Sequence, residues 1–282
     1  MYTRLTGKDN SLLKTLRKIN RSPRNASGEL MAIEGIRVLV EAEKAGCEIE
    51  AVVIADGFGK EPREINLIER WLSRGIRIFQ VGENLFASIS SVQSPQGAMA
   101  LVHAPRYTLN LIGQKEDALI LCACGIQDPG NLGTLIRTGA AAGADMILTT
   151  KGTVSARNPK TLRASAGAFF NIPVVECLET AETLSYCERN NIRAYRTDAR
   201  AGVSHTHADL KSSCAIFLGN EGSGVNEVDF ARLPAIHIPM PGKTESLNVA
   251  AAGAILLFEA ARQRSLQARP RDVEIRETER SL

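Results

Sequence analysis

Nowhere in the 282 residues does an uninterrupted apolar run reach the roughly 18 positions that a membrane-spanning helix needs, so no membrane association is expected. The opening stretch, MYTRLTGKDNSLLKTLRK, lacks the unbroken apolar centre of a secretory leader, and a cytoplasmic location is expected. The six cysteines (47, 122, 124, 177, 187, 214) form no CxxC pair and have no histidine at ligand spacing. Most sit within or beside apolar runs, which predicts buried reduced thiols instead of disulfides or a zinc site; no metal is expected. A strong charge of one sign is missing too. With a formal net charge of +3, affinity for a polyanion must come from local patches and not from the field of the whole chain.

What is present is ordinary for a globular protein: 44% hydrophobic and 23% charged residues, on a length that suggests two domains. Residues 1–28 concentrate Arg4, Lys8, Lys14, Arg17, Lys18, Arg21 and Arg24 against one acid, Asp9. Leu12, Leu13, Leu16 and Ile19 recur at helical spacing, which predicts a short amphipathic helix followed by a basic loop. Such a patch suits phosphate contact, with a merely solvated basic face as the alternative.

From Leu30 to Ala104 the pattern alternates helix and strand: helices over 34–45, 65–74 and 86–92, strands over 51–55, 77–81 and 98–102. Residues 1–104 therefore read as one α/β domain, followed by a polar linker over 105–116. In 117–264 strands are expected at 119–123, 146–149, 173–176, 194–197, 215–218 and 236–238. Helices are expected at 131–142, 160–168, 181–190 and 246–264, with a short turn near 226–232. Short apolar strands separated by helices predict a mostly parallel, doubly covered sheet. Residues 265–282 are charged and read as a frayed tail.

Three stretches of this second domain carry chemistry. In IPMPGKTESLNVAAAGAILLFEAARQR (238–264), Pro239 and Pro241-Gly242 break a strand end, and Ser246 is a suitable N-cap for the apolar helix that follows. In GIQDPGNLGTLIRTGAAAGAD (125–145), a strand turns into a helix near Asn131, and Arg137 is placed to project back toward the loop end. Gly139 inside that helix predicts a close packing contact. In FLGNEGSGV (217–225), the glycines fall as GxxGxG, not the GxGxxG of a dinucleotide fold, and Glu221 would repel a pyrophosphate. That order disfavours a nicotinamide-dependent oxidoreductase.

In order and spacing these three stretches, with SARNPKTLRASAGAFFNIPV (155–174), resemble the SpoU/TrmH branch of the SPOUT methyltransferases. MAIEGIRVLVEA (31–42) and SPQGAMA (94–100) resemble that family's ribosomal-protein-L30e-like substrate domain. The resemblance covers residues 30–262; Gly139 stands where the family more often has Ala. It implies an α/β fold with a trefoil-knotted parallel sheet, a homodimer through the C-terminal domain, and methyl transfer from S-adenosyl-L-methionine to a ribose 2′-hydroxyl of RNA. Ribosomal RNA is favoured over tRNA. A non-catalytic RNA- or ribosome-binding protein of the same fold is the alternative.

The same resemblance nominates Arg137, Asn131, Glu221, Ser246 and Asn248 for catalysis. It nominates Gly219, Asn220, Gly222, Ile238, Met240, Gly242, Ser246 and Leu247 for the cofactor. RNA contacts are expected from Arg4, Lys14, Arg17, Lys18, Arg21 and Arg24, and from Arg157, Lys160 and Arg163 beside the pocket. The chemistry agrees: displacement at a sulfonium methyl needs a positioned nucleophile and an apolar slot, and no metal. A 2′-hydroxyl is a weak nucleophile, so its proton must be taken or its oxyanion stabilised. A guanidinium is a poor base, which leaves Arg137 the second role or the orienting of phosphate.

Overall fold

The computed structural model describes residues 2–21, 30–112, 115–219 and 230–266. Its N-terminal sheet is built from β1 (Thr3–Leu5), β2 (Leu30–Glu34), β3 (Ile49–Ala55), β4 (Arg77–Val81) and β5 (Ala98–His103). The order is β1-β4-β3-β5-β2, with β1, β4 and β3 parallel and β5 antiparallel to both β3 and β2. Val52, Val53 and Ile54 are wholly buried because helices cover both faces, so the central strand reads as a continuous apolar run. Those helices are α1 (Ser11–Arg21), α2 (Ile36–Lys44), α3 (Pro62–Ser73) and α4 (Glu83–Ile89).

Three elements here depart from the sequence expectation. The helix expected over 34–45 begins at Ile36, because Gly35 turns at φ +101° and Glu34 still belongs to β2. The basic segment opens on a strand that its sequence does not predict: β1 pairs with β4 from Thr3 to Leu5. The helix expected at 86–92 starts at Glu83 and stops at Ile89, where Ser90 turns away to donate to Glu34 Oε1 at 2.6 Å. Helix α1 is no loose arm. Its Leu13 and Leu16 are fully buried, and with Ile19 they pack in a cluster that holds Phe86, Ile89, Met99 and Leu101.

The second sheet comprises β6 (Leu119–Ala123), β7 (Met146–Thr150), β8 (Val174–Leu178), β9 (Arg193–Thr197), β10 (Val203–Ser204), β11 (Cys214–Leu218) and β12 (Ala235–His237). Its order is β10-β12-β9-β11-β6-β7-β8, and every described pairing is parallel, as expected. Helices α5 (Pro129–Ala142), α6 (Pro159–Ala164), α7 (Thr180–Arg189) and α8 (Val249–Ser265) accompany it. The helix expected at 160–168 is split, since Gly167 at φ +88° separates α6 from a 3₁₀ turn over Ala168–Phe170. The turn expected at 226–232 and the tail at 265–282 fall mostly outside the described residues.

Close helix contacts fix the second unit. A Cβ on Gly139 would stand 2.7 Å from Ile147 Cδ1, which bears out the packing role expected for that glycine. Two other glycines matter more. A Cβ on Gly133 would meet Thr161 O and Ala164 Cβ at 2.5 Å, and one on Gly253 would meet Leu135 Cδ2 at 2.3 Å. Those positions let α5 approach α6 and α8. Arg264, at the end of α8, donates to the carbonyls of Leu210 (2.9 Å), Ala118 (3.2 Å), Ser212 (3.0 Å) and Asp117, binding the last helix to the start of β6.

One hydrophobic cluster runs through both sheets, from Val52 and Ile54 to Leu121 and Leu135. Polar contacts join them as well: Asn171 Nδ2 donates to Glu41 Oε2 at 3.1 Å and Arg163 to Ser91 Oγ at 2.8 Å. The stretch expected as a polar linker is partly packed, with Tyr107, Leu109 and Ile112 against the second core. All six cysteines are free, as expected, and burial pushes the Cys124 and Cys187 thiols up to about 12. Two depart from burial: Cys47 is half-buried and Cys177 exposed. Among the described residues no helix is long and apolar enough to cross a membrane.

Candidate active site

The site begins with two helix starts. Asp128 caps α5 by accepting from Asn131 N at 2.8 Å, and Pro129 occupies the first turn, where its missing N–H costs nothing. Asn248 caps α8, its Oδ1 accepting from Ala250 N (2.9 Å) and Ala251 N (3.3 Å). Here the expectation is corrected: the cap is Asn248, and Ser246 lies exposed in the preceding loop. Two capping residues compete in this stretch, and the winner also has a partner elsewhere. Asn248 Nδ2 donates to Asn131 Oδ1 at 3.0 Å, tying the start of α8 to the first turn of α5.

A cleft opens beside this bridge at the carboxyl ends of β9, β11 and β12, where ligands of open parallel sheets bind. Leu218, Ile236, Ile238, Leu247, Val249 and Leu256 make it largely apolar. Of the residues expected at the cofactor, Gly219, Ile238, Met240, Ser246 and Leu247 line it. Gly242 is exposed and does not. Asn220, Gly222 and Glu221 lie outside the described residues.

The opposite wall was not foreseen. Thr197, Asp198 and Ala199, leaving β9, also line the cleft. The backbone N–H groups of Arg200 and Ala201, each 2.9 Å from Oδ1, and then Arg196 at 2.6 Å hold the Asp198 carboxyl down to about 2. It is therefore an anion at neutral pH. Asp at the first position of a turn, straight after a strand, was the available signal. An apolar slot with one fixed carboxylate fits an adenosyl group that carries a sulfonium.

Arg137 stands six residues beyond Asn131 on α5, about 9 Å along the axis at helical rise. It is exposed and has no hydrogen bond or ion pair with a described residue. The residues expected at RNA are sorted by their partners. Arg4 pairs with Asp56 at 2.8 Å and Lys14 with Asp9 at 3.0 Å. Arg157 is half-buried against Glu176 at 3.2 Å, and Arg163 is bound to Ser91, its pKa lowered by burial. Lys18 is exposed, and Arg24 lies outside the described residues. Arg17, Arg21 and Lys160 line a second groove, between α1 and the loop leading into α6. Lys160 was expected beside the cofactor cleft; the structure turns it to this groove instead.

Fold and site together define a two-unit α/β transferase with its cofactor cleft at the ends of parallel strands. Residues 118–258 match the SpoU rRNA methylase family, and residues 10–100 match the MRM3-like substrate binding domain. The chain is 31% identical over 250 residues to the 23S rRNA (guanosine(2553)-2′-O)-methyltransferase RlmP of Bacillus subtilis, covering 88% of this chain and 95% of that one. A solved RNA 2′-O ribose methyltransferase superposes with a TM-score of 0.78 at 31% identity, over 93% of this chain and 100% of its own. An AdoMet-bound rRNA methyltransferase from Sinorhizobium meliloti gives 0.81 at 25% identity, over 93% and 98%. The chain belongs to the SpoU rRNA methylase family. Its activity is that of an S-adenosylmethionine-dependent RNA 2′-O-methyltransferase.

Proposed function

We propose that this protein methylates a ribose 2′-hydroxyl of 23S ribosomal RNA, acting as a homodimer. The observation that carries the reading is the Asn131–Asn248 bridge, which joins the helix bearing Arg137 to the loop that walls the cofactor cleft. Bound S-adenosylmethionine supplies an electrophilic methyl group. The chain's own residues do the rest. Leu218, Ile236, Ile238 and Leu247 give the adenosyl group an apolar bed, and the Asp198 carboxylate suits the cationic end of the molecule.

Arg137 orients phosphate and stabilises negative charge on the attacking oxygen, while Asn131 and Asn248 position the ribose through amide hydrogen bonds. Ser246 shapes the cleft entrance. Glu221 is assigned to holding Arg137 or Asn131 by the family pattern alone. For the dimer, the support is an apolar strip on α8: Phe258 is 53% exposed and Ile255 38%, on the side away from Leu256 and Leu257.

Incubation with labelled S-adenosylmethionine and 23S rRNA should place label on one ribose, read as a 2′-O-methyl block to alkaline cleavage. Arg137→Ala should lower turnover by about 100-fold or more with cofactor affinity unchanged, the scale of losing one charge-stabilising donor. Near-normal turnover in that variant removes Arg137 from the mechanism. Cofactor binding without transfer to any rRNA overturns the proposed substrate.

A further inference from the structure

The groove that gathers Arg17, Arg21 and Lys160 is assigned to neither the cofactor nor the reacting ribose. It lies between the two units: α1 and the segment after α4 form one side, and residues 127–129 and 154–160 form the other. We propose that it seats the phosphodiester backbone of the RNA next to the methylated nucleotide, and that it reads phosphate and not base. This inference rests on the RNA-methylation reading above.

The charge of the lining supports it. Among the described residues the groove's three cations come from both units and no Asp or Glu lines it; the carboxylate behind Ser90 and Ser91, that of Glu34, is buried and bonded by them. Arg4, Lys14 and Arg157 are engaged by carboxylates, whereas Arg21 and Lys160 are exposed and make no ion pair with a described residue. Arg17 is held in place by Ser88, through Oγ at 3.2 Å and O at 3.5 Å, and makes no ion pair with a described carboxylate. A cation fixed by neutral groups keeps its field for a ligand. Gln127 and Asn158 add uncharged amides suited to phosphate and ribose oxygens.

What the lining lacks sharpens the ligand class. Among the described residues no aromatic side chain lines the groove, so they offer no platform on which bases could stack. Backbone contact without stacking gives affinity that is independent of sequence. The position is also suitable: Pro129 lines the groove and opens α5, two residues before Asn131. A strand lying there leads directly to the asparagine pair.

The test uses the full-length protein and measures binding of a 23S rRNA fragment and of an unrelated RNA of equal length across a salt series. Arg21→Gln and Lys160→Gln should each weaken both RNAs about tenfold, the scale of one charge-assisted hydrogen bond. Each should flatten the log–log salt slope by roughly 0.7–0.9. Cofactor affinity and thermal midpoint, measured alongside, should stay at wild-type values, since both side chains are exposed. Lys211→Ala, which removes an exposed cation at the far end of β11, should change neither RNA's affinity. Wild-type affinity and slope in both groove variants, with methylation of the rRNA intact, overturns the groove and leaves the methyltransferase reading standing. A wild-type protein that binds cofactor but no RNA overturns the reading itself. Loss confined to the 23S fragment overturns the claim that phosphate alone is read.

Discussion

Helices α1 and α8 bury similar apolar faces and show opposite faces to solvent. Helix α1 puts Leu13, Leu16 and Ile19 into its own unit's core and turns Lys14, Lys18 and Arg21 outward. Helix α8 buries Leu256, Leu257 and Ala260, and leaves Ile255 and Phe258 exposed. The buried face states only that a helix belongs to a core. The solvent face sets the kind of partner a helix can take: cations suit a polyanion, and an apolar strip suits another apolar surface, such as that of the second copy proposed above. Helix α1 also lines the basic groove and α8 the cofactor cleft, so the proposed recognition of RNA and the proposed assembly fall on opposite ends of the sequence.

Three changes sharpen or break this contrast. The largest effect is expected where α1 is anchored. Leu16→Ala should destabilise the protein by about 2–5 kcal/mol in denaturant titration, because the side chain is fully buried. A cost under about 1 kcal/mol would make α1 the loose basic arm that its charge alone suggests. Deleting the whole segment is for the same reason a poor test of RNA binding.

An intermediate effect is expected on acidification, and it should be felt on the α8 side. Hydrogen bonds from Arg262 first, then Gln263, hold the Glu259 carboxyl down to about 2, against the opposing effect of burial. Asp198 is held down to the same range. Both folded values lie below the ordinary carboxylate range, so this stability is present above pH 4.5 and is lost as the pH falls toward 2. Glu259→Gln should flatten the acid limb of the stability curve; an unchanged limb would remove α8 from that account. The smallest effect on chain stability belongs to Phe258→Asp, within about 0.5 kcal/mol for an exposed site. Its readout is association: on the proposed dimer, sedimentation should show a dimer for the wild type and monomers for the variant.

Much of this was legible. Strands such as LILCA (119–123) and CAIFL (214–218) are buried throughout, so they stand out as apolar runs bounded by turns. β1 was not, because three residues with Arg4 at the centre carry no apolar pattern, and only pairing with β4 makes them a strand. The start of α8 was misplaced because Ser246 and Asn248 are both good caps. What decides between them is Asn131, 117 positions away. The same limit applies to the basic residues. Counting cations marked the patch, but the carboxylates that neutralise Arg4 and Arg157 sit 52 and 19 positions off. Thr197–Ala199 is the clearest omission, since a wall contributed by a third strand has no motif of its own.

The clamp at Arg264 has a bearing on the order in which the chain can take shape. Its guanidinium reaches back to Ala118, across 146 positions, and to Leu210 and Ser212 on the way. The unit that opens at β6 is therefore fastened by one of its last described residues. Contacts of such separation bear a large loop-closure cost and form late. The N-terminal sheet, whose strands are complete by His103, is finished long before that fastening exists. On a growing polypeptide the basic helix α1 is thus in place first, and the cofactor cleft is sealed only when the end of α8 has been made.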